Sequence, residues 1–322
     1  MTSGNTILTI DYVARRVALA IPVLIGVSLA SFFLMRLVPG DPALALPGTE
    51  ADDAALLTLR RALALDRPMS TQFFAWLSQV LVGNFGRSIS SGQPVLPMLM
   101  GALGPTAILA TAAMLMAILI GVPCGAFAAT HRMTARASVL TPLVLIGLSM
   151  PGFWVGLLLI LAFAVRLPVF PASGYVSPID SVTGHLAHLA LPALTLGVAI
   201  TSSTMRITRT AMLQALRGPH VRTAVAKRLS VRRAVWKHGF PIARATILIQ
   251  LAVQTGKFLG GVVVIETVFS WPGIGKLAVD AVFARDFPVI QGVVLLAAVI
   301  FVVINLAADL CHAMLDPQVT AR

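Results

Sequence analysis

Few residues in this 322-residue chain have the type and spacing for proton transfer, nucleophilic attack or metal binding. His185 and His188 stand three apart, close enough on a helix to share a metal ion. Two ligands leave such a site incomplete, so they read as interfacial histidines and no metal site is assigned. Cys124 and Cys311 both lie within apolar stretches, as small core residues do. The sequence contains no G-x-x-x-x-G-K-[ST] phosphate loop, no G-x-S-x-G elbow and no H-E-x-x-H helix. ATP binding by such a loop and the corresponding hydrolytic chemistries are therefore not expected in this chain. Lys257 and Glu266 are the ionisable residues in or beside one long apolar segment, and they stand too far apart to pair along a helix. A lysine facing lipid alone would cost several kcal/mol, so Lys257 must meet protein, water or an acid. Two roles stay open for it: counter-charge to an anionic group such as a peptide carboxylate, or a structural ion pair. Asp309, in the last apolar segment, is one candidate partner.

The densest charge is basic. From Arg206 to Arg244 there are ten Lys or Arg (Arg206, Arg209, Arg217, Arg222, Lys227, Arg228, Arg232, Arg233, Lys237, Arg244) and no Asp or Glu. Within this run, His220 to His238 reads as two short amphipathic helices. Val221, Val225 and Leu229 fall at i, i+4 and i+8 on one face, with Arg222 and Lys227 turned away from it. Ser230 is placed to cap the second helix, whose apolar side is Val231, Val235 and Trp236. Such a run can serve only to hold a loop on the cytoplasmic side. Its periodicity adds a second reading, a structured pair of helices presented to a cytoplasmic partner.

These residues sit between membrane-length elements. Hydrophobic residues make up 57% of the chain and charged residues 11%, against about 25% charged in soluble domains. The net charge of +12 comes from 24 basic and 12 acidic residues. Because the bases collect in loops beside apolar spans, they report orientation in a bilayer, and no nucleic-acid partner is expected. A bilayer core needs about 20 apolar residues per helix, and six segments qualify. They are Val13–Met35, Pro105–Ala129, Val139–Val165, Leu189–Met205 (continuing as helix toward Leu213), Ala245–Val268 and Val289–Leu315. Residues 1–12 are polar without a basic cluster, and the apolar run after them is too long for a signal-peptide core, so the first segment reads as a retained span. With both termini in the cytoplasm, the turn His131–Arg136 and the basic run fall inside, while most acids fall outside: Asp41, Glu50, Asp52, Asp53, Asp66, Asp180, Asp280 and Asp286.

The expected fold is therefore an all-α integral membrane protein with about six transmembrane helices. Residues 1–38 supply the tail and first span, 39–104 an external helical segment, and 105–322 a core of five spans with cytoplasmic helices at 219–238. In the external part, Ala51–Leu65 and Thr71–Val82 have helical periodicity, broken by Gly83-Asn-Phe-Gly86 and Ser90-Ser-Gly-Gln-Pro94. This segment shields the outer helix ends or forms a docking platform. In the third span, Ser149-Met-Pro-Gly-Phe-Trp154 predicts a kink, useful either for packing or for a bend beside a pathway, which makes Pro151 and Phe153 candidate pathway residues with Lys257 and Glu266. After Glu266, Trp271 suits the membrane interface and the Pro and Gly residues a tight external turn.

Several of these stretches resemble one family. Val221-Arg-Thr-Ala-Val-Ala-Lys-Arg-Leu-Ser-Val-Arg-Arg-Ala-Val-Trp-Lys-His238 is similar to the cytoplasmic EAA loop of ABC-importer permeases of the dipeptide/oligopeptide/nickel branch. Where that family usually has Gly after Ala-Lys, this chain has Arg228, and the family's later Asn and Pro correspond to Ile242 and Thr246, with a proline at 241. Pro39-Gly-Asp-Pro-Ala43, Leu65-Asp-Arg-Pro68, Gly83-Asn-Phe-Gly86 and the Ser-x-Pro-x-Phe segment at 149–153 also resemble it. The most specific match is Glu266-Thr-Val-Phe-Ser-Trp-Pro-Gly-Ile-Gly275 followed by Arg285-Asp-Phe-Pro-Val-Ile-Gln291. The resemblance implies a type I importer permease of the bacterial inner membrane. It further implies a second homologous permease, two ATPase subunits carrying ATP and Mg, and an extracytoplasmic binding protein that delivers a peptide-like solute. It makes His220, Val221, Arg222, Ala224, Val225, Lys227, Arg228 and Leu229 the contact to an ATPase, with no cofactor and no catalytic residue in this chain. The same family also carries nickel complexes and glutathione-like peptides. An ion-coupled secondary transporter, which would need intramembrane carboxylates and often paired repeats, and an intramembrane enzyme are the rivals from other classes.

Overall fold

Ser181 and Gly218 bound the longest helix described. The Ser181 hydroxyl accepts the Gly184 N–H at 3.1 Å, satisfying a donor that the first turn would leave unpaired. The helix, Val182–Arg217, has 36 residues and so a length of about 54 Å, well beyond the ~30 Å of a bilayer core. Its basic C-terminal part must project from the membrane.

The computed structural model describes residues 3–37, 68–131, 134, 142, 144 and 147–315. Their regular structure is helical: α1 (Ser3–Leu37), α2 (Met69–Leu81), α3 (Val95–Met116), α4 (Val122–Thr130), α5 (Gly152–Ile160), α6 (Val182–Arg217), α7 (Pro219–Ala226), α8 (Val231–Ala234), α9 (Phe240–Val268), α10 (Ile274–Phe283) and α11 (Phe287–Leu315). π-helical turns at Ala117–Gly121, Leu161–Arg166 and Val235–Gly239 join α3 to α4, extend α5 and join α8 to α9. Among the described residues, four stretches are long and apolar enough to cross a membrane: Ala14–Phe33, Val95–Thr130, Val182–Arg217 and Phe287–Leu310. The segments expected at 39–67, including the Ala51–Leu65 helix, lie outside the described residues.

Tertiary packing moves several boundaries. The second span begins at Val95 instead of Pro105, because Val95, Leu99 and Ala102 bury against Ile274, Ala281, Val289 and Val293 of α10 and α11. The third span is broken, not merely kinked. Pro151 caps α5 at φ −59°, ψ 134°; it donates no N–H to the turn before it and disfavours helix at Met150. The fifth helix starts at Phe240, several residues before the expected Ala245.

α3, α6 and α9 share an apolar core through Leu109, Ala113, Leu189, Leu196, Val262 and Ile265. At the other end of the bundle α4, α6 and α9 meet through Ala126, Met212, Ala215, Ala243 and Ile247. Here α4 approaches α6 closely: a Cβ on Gly125 would stand 2.6 Å from the Met205 carbonyl oxygen and 2.7 Å from Thr208 Cβ. Gly121, one turn earlier, meets the Thr201 carbonyl in the same way. Small residues four apart let membrane helices come into backbone contact, where lipid gives little hydrophobic drive for association.

Candidate functional site

Two side-chain assemblies sit at opposite ends of α9. At its start, Gly218 ends α6 and Pro219 opens α7, where a missing N–H costs nothing. Val221 and Ala224 of α7 are buried against Ala234 of α8 and Leu216 of α6. The Leu229 N–H donates to the Ala224 carbonyl at 3.2 Å, and Arg228 has φ +63°. That is a Schellman ending with a left-handed residue at the place glycine normally takes. The family's usual Gly falls at this residue, so the helix end explains it. A left-handed conformation costs an L-residue about 1–2 kcal/mol. Arg228→Gly should therefore raise the thermal unfolding temperature of the solubilised protein, and an unchanged or lower one would show that the turn is not strained.

The second helix differs from expectation. α8 runs through the Val235–Gly239 turn directly into α9, so it is the first stretch of the fifth helix. Val235 is buried, but Trp236 is 49% exposed and rests against Phe240, with ring centroids 5.2 Å apart. Lys227, Arg228, Arg233 and Lys237 are exposed around it, and Leu229 is half-buried. His220, Arg222 and Val225 lie on α7, their side chains outside those described. The result is a basic surface with an uncovered indole, rigidly joined to α6 and α9.

At the far end of α9, Glu266 is fully buried. One carboxylate oxygen accepts the Thr106 hydroxyl at 2.6 Å. The other accepts the N–H groups of Gly275 at 2.7 Å and Lys276 at 3.1 Å. Thr106 in turn accepts the Ile274 N–H at 2.8 Å. The Glu266 carboxyl thus caps the first N–H groups of α10, satisfying donors that the helix itself leaves unpaired. Glycine is required at 273, since a Cβ there would run into the carboxylate. Trp271 is also fully buried, contrary to an interfacial place; its indole N–H donates to the Pro105 carbonyl at 2.9 Å. A tryptophan needs one polar partner when it is buried, and the Pro105 carbonyl provides it. The motif from Glu266 to Gly275 is thus a lock that fastens α10 to α3.

A second carboxylate fastens the loop between α2 and α3. Asp286 accepts the hydroxyls of Ser88 and Ser90, the latter at 2.8 Å, and the N–H groups of Ile89 at 3.1 Å and Ser90 at 3.3 Å. Burial pushes its carboxyl up, but these four donors outweigh burial and hold it below the usual carboxylate value. A carboxyl that is more acidic folded than unfolded adds stability at pH above its ordinary pKa of about 4, lost as pH falls through the lower folded value. Asp286→Asn should therefore lower stability at neutral pH and flatten its decline below about pH 4. Parallel acid-unfolding curves for the two proteins would overturn that assignment.

The remaining predicted residues separate. Pro151 and Phe153 are both exposed at the start of α5. Lys257 lies on α9 with its side chain outside those described, and Asp309 is paired with Arg16 at 3.0 Å. His185 and His188 each use Nδ1 on a main-chain carbonyl, of Val176 at 2.7 Å and Gly184 at 2.8 Å. His185 is buried beside Tyr175 and Trp271. Sequence reasoning missed Thr106, Ser88 and Ser90, because hydroxyls distant in sequence give no local signal. The acid directly before the last span, Asp286, was the available hint.

A bundle of long apolar helices, closed by hydrogen-bonded locks at one end and carrying a basic helical platform at the other, defines a polytopic helical membrane protein. Residues 121–321 match the family described as binding-protein-dependent transport system inner membrane component, and residues 9–109 the N-terminal membrane component of such systems. The chain belongs to this family and is a permease subunit of an ABC transporter, which implies ATPase and substrate-binding-protein partners. It is 38% identical over 308 residues to a probable peptide ABC transporter permease, y4tP, of Sinorhizobium fredii, covering 96% of this chain and 98% of that one. The oligopeptide transport system permease AppB of Bacillus subtilis is 35% identical over 311 residues, 96% and 98% of the two chains. The glutathione transport system permease GsiC of Salmonella choleraesuis is 38% identical over 310 residues, 96% and 99%.

Proposed function

We propose that this chain forms, with a second permease, the pathway of an ATP-driven importer of di- or oligopeptides, glutathione-like tripeptides included. The observation that carries the substrate class is end-to-end similarity to permeases named for peptides and glutathione. Six helices cross the inner membrane with both termini in the cytoplasm. The α7–α8 surface lies in a cleft of an ATPase subunit, and two such subunits bind and hydrolyse ATP, so the chain itself has no catalytic residue. Closure of the ATPase pair moves α7 and α8, and the packing of α7 on Leu216 of α6 together with the continuity of α8 with α9 carries the motion to the spans. Pro151, Phe153 and Lys257 are pathway residues, while Glu266 holds α10 against α3.

The test is reconstitution of the complete transporter in liposomes. Labelled peptide should accumulate only with ATP on the ATPase side and binding protein on the other. Uptake driven by an ion gradient without nucleotide would replace this reading by secondary transport.

A further inference from the structure

α2 carries no charged residue, and its apolar arc is only half covered. Phe73 is buried against Phe32 of α1, with ring centroids 5.4 Å apart, and Trp76 stands 5.5 Å from the same ring. The adjoining part of the arc is Phe74, Leu77 and Leu81, at i, i+3 and i+7; Phe74 is 67% and Leu81 78% exposed. Thr71 and Ser78 flank Phe74, while Gln72 and Gln79 lie on the opposite side. There the helix borders a groove of about 390 Å³ lined by Gln72, Gln79, Asn84 and Gln291.

Depth decides what covers the apolar arc. The apolar run of α1 lies between Arg16 and Arg36 and spans about 28 Å as a helix, so Phe32, one turn before Arg36, lies near its hydrocarbon boundary. A helix stacked on Phe32 therefore lies at the level where acyl chains give way to headgroups. Its uncovered arc continues the exposed membrane face of α1, Leu29 and Phe33. Gln291, near the start of α11, places this boundary at the end of the bundle opposite α7–α8. An apolar arc with Trp and Phe, an opposite polar side and a place at the boundary are the features of a helix lying on a membrane.

We infer that α2 is an interfacial helix, seated with Phe74, Leu77 and Leu81 among the lipids of the leaflet remote from the ATPases and with its glutamine side toward water. The partner of this arc is the lipid surface, not a docked protein. The inference goes beyond the transport reading and stands whether or not α7–α8 is the coupling element.

The test adds single cysteines, Leu81→Cys and Gln79→Cys, to the chain in the assembled transporter in liposomes, with the native chain as baseline for Cys124 and Cys311. A membrane-impermeant maleimide should label Gln79→Cys readily and Leu81→Cys about tenfold more slowly or not at all, as for a group on the lipid side of an interfacial helix. A nitroxide at position 81 should collide with oxygen in preference to a water-soluble nickel chelate. Phe74→Cys probes the same arc if Leu81→Cys assembles poorly. Equal labelling of positions 79 and 81 would make the arc a water-facing surface, and protection of position 81 from both oxygen and maleimide would mean that protein covers it. Either result overturns the inference.

Discussion

Ala224→Glu abolishes substrate-stimulated ATP hydrolysis by the assembled transporter, while the chain still inserts into the membrane. Ala224 is buried between α7, α8 and Leu216, so a carboxylate there has no room and no partner. Leaving a charge buried and unpaired costs about 3–5 kcal/mol, far more than these short helices gain from their few apolar contacts. α7 therefore leaves its seat, and the exposed basic side chains and Trp236 lose their fixed relation to α6 and α9. The spans themselves bury their surfaces elsewhere, in the cores around Leu189 and Met212, and should survive. ATPase rate with and without loaded binding protein is the measurement. Normal stimulation in the variant would remove α7–α8 as the coupling element.

Glu266→Ala should produce the largest loss of stability, centred on the outer end of the bundle. The substitution leaves the Gly275 and Lys276 N–H groups and the Thr106 hydroxyl without their acceptor, inside a region closed to water. Each orphaned buried donor costs about 1–3 kcal/mol, so a total of several kcal/mol is expected even with partial relaxation. The consequence is specific: α10 and the turn before it should become sensitive to protease added on the outside, while the α7–α8 end stays protected. Glu266→Gln keeps one carbonyl acceptor and should fall between the two. A melting temperature within experimental scatter of the native protein for Glu266→Ala would mean that α10 is held by its apolar face alone.

Much of this architecture was legible in the residues. Long apolar runs with basic loops on one side can satisfy their backbone in lipid only as helices, which fixed the class and the approximate spans. The family's motifs also stood in plain view from Pro39 to Gln291, and the comparisons place the chain in that family. What motifs do physically was less visible. Trp271 looked like an interfacial residue because composition reports polarity, not depth. Only the fold places it beside the Pro105 carbonyl. Asp309 looked like a partner for Lys257, but the packing of α1 on α11 gives it Arg16.

Sequence alone determined a polytopic helical membrane protein with a basic, amphipathic loop between α6 and α9, since periodicity, hydropathy and charge placement are local properties of the chain, and its motifs carried the resemblance to the permease family. Tertiary structure decided where helices break, which acids are locked and which apolar faces stay open. Those outcomes depend on donors and acceptors brought together from positions far apart, as Thr106 is to Glu266 and Ser88 to Asp286, and no local pattern records that meeting.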